Sequence, residues 1–233
     1  MKFAISFLIS LAVAISAQLT SAVFAQDSQK SEPEEKGVAY IRTINDRTTK
    51  IVAALGIAEA AKSNRVHEII VQQYRGLNDI HWVRDVEIGE AKAKFASDKV
   101  AANAAIEAAR AKTKPKLEKL HAEFLTKLSA ELTPEQVDEV KDGLTYGVAP
   151  LTYGVYLKMY PELTAEQKAQ IKLWLNEARE LAMDGSTSDE KHAVFGKYKG
   201  KINNYLSKAG YDAKKGEANL KKASQPPSDS KPK

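Results

Sequence analysis

The stretch Val66-HEIIVQQYRGLNDIHWVR-Asp85 decides the fold class. Val66, Ile70, Tyr74, Leu77 and His81 recur three or four residues apart, the spacing that gathers side chains on one face of an α-helix. The face continues through Ile88 and Phe95 into an alanine-rich run. One long helix is therefore expected from Val66 to about Arg110, with Pro115 marking a restart.

The same period extends outward in both directions. Upstream, Ile41, Ile44, Thr48, Ile51, Val52 and Leu55 form a stripe that ends near Gly56. Downstream, Leu117, Leu120, Phe124, Leu125 and Leu128 form another. Leu132-Thr-Pro-Glu-Gln136 and Leu163-Thr-Ala-Glu-Gln167 each place Thr at N-cap and Gln at N3, the capping-box spacing. Thr187 and Glu190 repeat it, and Gly210 suits a helix end. Gly143, Gly147 and Pro150 interrupt the pattern, in a segment where Leu-Thr-Tyr-Gly-Val occurs at both 144 and 151. No interval alternates with period two, so strands are not expected. The expectation is an all-α protein, an irregular bundle of about six or seven helices with one long central helix.

With 233 residues, 43% of them hydrophobic, the chain suffices for one domain with its own core. Lys2, the apolar run 3–17 and the small-residue site Val23-Phe24-Ala25 have the form of a signal peptide cleaved after Ala25. A periplasmic or secreted protein is expected, with no membrane span in the mature chain. Residues 26–36 are polar and aperiodic and read as a linker, and 37–212 as a single helical domain. The formal charge of +5 lies at the ends: Lys2, and six lysines against two carboxylates in 213–233. That last segment, rich in Lys, Ser and Pro, reads as a disordered basic tail. The body between is neutral, so charge gives no support for a nucleic-acid partner. With no cysteine, disulfides, thiolate metal sites and cysteine nucleophiles are excluded.

Two constellations carry chemistry. Tyr74, Asn78, His81 and Asp85 share a helix face, with Arg75, Trp82 and Arg84 on neighbouring faces. A histidine one turn from an aspartate can be held in one tautomer and act as a base; the same pattern also describes the polar seam of an interior helix. In the second, His192, Gly196, Lys199 and Asn203 run beside a core stripe of Phe195, Tyr198, Ile202 and Tyr205 or Leu206, with Gly200 nearby. Helical glycines cost about 1 kcal/mol each relative to alanine, which points to close packing or to a ligand near the backbone. Lysines, amides and tyrosines suit hydroxyl-rich or carboxylated sugars, with Tyr146 and Tyr153 as further stacking surfaces and Lys197, Lys199 and Lys201 as a local basic cluster. The expected ligand-binding set is thus Tyr74, Asn78, His81, Arg84, Asp85, Tyr146, Tyr153, His192, Lys199 and Asn203. The four histidines include no His-x-x-x-His pair, so neither a metal nor a cofactor is expected.

Three blocks carry a resemblance: residues 74–85, 132–148 and 191–206. They resemble an uncharacterised family of exported proteins from polysaccharide-degrading Gram-negative bacteria, described as candidate sugar-binding proteins. The likeness spans about Val38 to Tyr211 and implies a carbohydrate context without catalytic residues to assign. The paired Leu-Thr-x-x-Gln motifs are also similar to those of small periplasmic helical chaperones of the envelope-stress type. The expected function is therefore an exported carbohydrate-binding protein. The alternatives are such a chaperone, or a small lyase-like enzyme with His81 as base, a Lys or Arg on a uronate carboxylate, and a Tyr as acid.

Overall fold

The structure, a computed structural model, describes residues 32–224. The proposed signal peptide, residues 26–31 of the linker and the last nine residues lie outside them. The described residues form eight helices and no strand: α1 Glu32–Ala54, α2 Ala60–Lys94, α3 Lys99–Glu131, α4 Pro134–Leu144, α5 Val148–Met159, α6 Ala165–Met183, α7 Ser188–Lys208 and α8 Ala213–Ala223. Among the described residues, those from Ala39 onward form one compact unit.

Two apolar cores organise the unit that begins at Ala39. The first joins Ile51 and Val52 of α1, and Leu55 just after it, to Val66 and Ile70 of α2, Phe124 and Leu128 of α3, and Val137, Val140 and Leu144 of α4. The second joins Ala149 and Tyr156 of α5 to Ile171, Leu175 and Ala178 of α6 and Phe195, Ile202 and Leu206 of α7. Helix α6 serves both, since Met183 closes the first core and Ala182 belongs to the second. Burying each large apolar side chain contributes about 1.5–3 kcal/mol. Leu128→Ala, at a fully buried position, would cost ~2–5 kcal/mol.

Both capping boxes form as the sequence implies: Thr133 with Gln136, and Thr164 with Gln167. The third forms by half. Thr187 accepts from the Glu190 N–H, but the Glu190 carboxylate bonds the Ser186 N–H and Arg84 instead of reaching back to its own cap.

Four sequence expectations need correction. The long helix does not run to Arg110. It ends at Lys94, and α3 starts at Lys99, where the Asp98 carboxylate accepts from Val100 N and Ala101 N at 3.0 Å each. Phe95 had kept the apolar period in step across this break. Pro115 restarts nothing; α3 passes through it, and packing along α2 carries the helix despite a cost of about 3 kcal/mol. The linker is shorter than expected, because α1 already begins at Glu32; Pro and Glu are residues that a helix's first turn accepts.

The fourth correction concerns the tail. Helix α8 occupies its first half, capped by Asp212, which accepts from Lys215 N at 2.8 Å. The reading from large apolar residues missed it because α8 docks through a glycine. A Cβ on Gly216 would lie 2.8 Å from the Tyr160 ring. Asn219 then donates to the Met159 carbonyl at 3.0 Å.

Candidate functional site

A cavity of about 450 Å³ opens between α1, α2, the α4–α5 turn and the α6–α7 turn. That volume lies in the range of small-molecule sites. Tyr40, Thr43 and Arg47 line it from α1; Tyr74, Asn78, His81, Trp82 and Asp85 from α2; and Tyr146, residues 185–188 and Lys191 from the later chain. The α2 residues reach it together because their spacings of four, three or four, and three or four keep them on one side of the helix.

Local folding fixes each wall. Tyr146 and Gly147 are both left-handed, with φ of 59° and 65°. A non-glycine residue there is strained by about 1–2 kcal/mol, and such strain gathers at functional sites. The turn sets the Tyr146 ring against His192, with centroids 6.0 Å apart and planes at 17°, and under the Arg47 guanidinium at 5.7 Å. The second copy of the pentapeptide has no such geometry. Residues 151–155 lie inside α5, where Leu151 is 68% exposed while its counterpart Leu144 is buried.

His81 is 3% exposed. Its Nε2 lies 2.6 Å from the Asp184 carbonyl. A carbonyl only accepts, so Nε2 carries the proton and Nδ1 the lone pair. Burial lowers the imidazole pKa, partly offset by that bond. Asp85 does not orient the ring; it accepts from Arg84 Nε at 2.8 Å. Arg84 also reaches Glu190 at 2.8 Å and so ties α2 to the start of α7.

Lys191, 5% exposed, donates to the Ala182 and Met183 carbonyls at 3.0 Å each. It thus closes the end of α6, where a cation meets the negative end of the helix dipole. Burial pushes its pKa down to about 8. Burial likewise raises Tyr74 to about 12, against a nearby Arg47, and raises Tyr40, whose hydroxyl donates to the Tyr74 carbonyl at 2.9 Å. Asp184 is held on its other side, its carboxylate 3.0 Å from His121 Nδ1.

Residues 41–225 match the family DUF3826, described as a protein of unknown function. The chain belongs to DUF3826. No match was found among curated proteins. Nearly all of the cavity wall of this DUF3826 protein lies inside the matched region; Tyr40 stands one residue before it.

Of the ten expected site residues, the DUF3826 fold gathers Tyr74, Asn78, His81, Asp85 and Tyr146 around the cavity. Arg84 stands behind it, and His192 meets it through Tyr146. Three do not join. Tyr153 lines a separate hollow with Asp142 and Arg179. Asn203 accepts from the Tyr156 hydroxyl at 2.7 Å, and Lys199 is exposed. Lys199 and Asn203 follow Lys191 by eight and twelve residues, about 12 and 18 Å along α7. Gly196 and Gly200 face open space, so close packing does not explain them. Among the described residues, no group of three or more His, Asp or Glu side chains is placed to hold a metal ion.

Trp82, Arg47, Tyr40, Lys191 and residues 186–188 were missing from the expected set. Trp82 had a signal, standing eight residues from Tyr74 and four from Asn78. Arg47 and Lys191 had none, because each reaches the cavity through tertiary packing alone.

Proposed function

We propose that the protein is an exported carbohydrate-binding protein whose ligand lies in the cavity between α1, α2 and the start of α7. The observation that carries the reading is Trp82, 66% exposed on a wall that also holds Asn78, Tyr74, Tyr146 and the hydroxyls of Thr43, Ser186, Thr187 and Ser188. An open indole covers the apolar C–H face of a sugar, and amide and hydroxyl groups bond its polar edge. A binding role fits better than a lyase one: Nε2 of His81 is occupied by the Asp184 carbonyl, and Nδ1 is sealed from solvent without a partner. The chaperone alternative draws on Val83 and Val86, exposed beside Trp82 on α2, yet a convergent polar cavity is what a general apolar binder lacks.

Calorimetric titration with a panel of neutral and acidic oligosaccharides tests the reading. At least one is expected to bind, and Trp82→Ala to weaken it about tenfold, the equivalent of roughly 1.4 kcal/mol of stacking. Uniform absence of binding, with suppression of aggregation of an unfolded client, would transfer the assignment to the chaperone class.

A further inference from the structure

Resting on the carbohydrate reading of the same cavity, we propose that it selects ligands that carry a carboxylate, held by Lys191 and Arg47. The reason is a count of charges. Lys191 is a buried ammonium whose two bonds go to neutral carbonyls. Among the described residues no carboxylate lies within ion-pairing distance of it or of Arg47.

Three acids around this site are each engaged elsewhere. Asp85 is paired with Arg84. Glu190 takes Arg84 and the Ser186 N–H. The Asp184 carboxylate is turned to His121. A buried charge without a partner is costly, and a ligand anion is the group that relieves it. A planar, singly charged carboxylate matches one guanidinium and one ammonium and leaves the ring hydroxyls for Asn78 and the α7 turn. The basic cluster Lys197, Lys199 and Lys201, expected from sequence to take an acidic ligand, is not among the cavity's lining residues.

The test compares trigalacturonic acid with its methyl ester, which keeps every ring and loses only the charge. The acid is expected to bind about tenfold tighter or more, as for hydrogen bonds to a charged group. Arg47→Gln, at an exposed position, is expected to shrink the preference for the acid over the ester towards unity. Lys191→Met is expected to do the same, and Arg47→Gln keeps the test open if loss of the α6 closure prevents folding. Affinity for the acid should also fall as pH rises through about 8, where Lys191 loses its proton. Asp184 and Glu190 favour the charged amine and Arg47 opposes it, while His81 and Asp85 face the same cavity from α2.

Equal binding of acid and ester would overturn the carboxylate assignment and leave the carbohydrate reading standing. Failure of both, together with failure of the neutral panel, would overturn both. Tighter binding of a sulfated galactose oligosaccharide than of the acid would overturn it in favour of a sulfate ester.

Discussion

At the scale of single residues, one carboxylic residue braces the cavity wall from behind. The Asp184 backbone carbonyl fixes the tautomer of His81, while its carboxylate and that of Glu180 bind the two nitrogens of His121 at 3.0 and 3.4 Å. Asp184 and then Glu180 raise the His121 pKa from 6.5 to about 9. A base whose folded pKa is raised contributes stability that is complete below the unfolded value and lost as pH rises through the folded one. His121→Gln should therefore destabilise most below about pH 6.5, and its penalty should shrink towards pH 9 and above. Urea unfolding of both proteins across that range checks this; Lys191 titrates nearby but is common to both and cancels in the difference. A penalty that is constant with pH would mean His121 is neutral in the folded protein. None of this was legible in the sequence. His121 and Asp184 are 63 residues apart, and no local spacing connects them.

At the scale of elements, legibility followed the caps and the hydrophobic period. The starts of α4, α6 and α7 were readable because Thr133, Thr164 and Thr187 declare themselves within three residues. The break between α2 and α3 was not, since a four-residue interruption kept the apolar face in phase. Helix α8 was not either, because its contact with α5 runs through Gly216 and Asn219 rather than through large apolar side chains. The glycines of α7 give a sharper test. A Cβ added to Gly196 or Gly200 would meet nothing within 4 Å, so alanine fits both without a clash. The double substitution Gly196→Ala and Gly200→Ala should stabilise by about 2 kcal/mol and raise Tm by roughly 4–8 °C, without loss of sugar binding. A loss of binding in thermal-shift and titration experiments would restore that face of α7 as the ligand site.

At the scale of the whole molecule, the all-α class was legible from periodicity and the cavity was half legible. The α2 wall could be read because its members share one helix face. Arg47, Tyr146 and Lys191 meet that wall only after α1, the α4–α5 turn and the start of α7 converge on it. The charge distribution also changes meaning. Four of the six lysines assigned to a tail (Lys214, Lys215, Lys221 and Lys222) stand on α8. The cations that matter for a ligand are instead Arg47 and Lys191, within a body that sums to neutral. No described helix is long and apolar enough to cross a membrane, and the two cores share α6, so the end of α6 that Lys191 closes is anchored in both. The most direct test of the central claim is a crystal structure with a bound oligosaccharide from the binding panel. The account predicts a sugar ring over Trp82, within hydrogen-bond reach of Asn78 and Lys191. A ligand seated instead against Tyr153, Lys199 or Asn203 would contradict it.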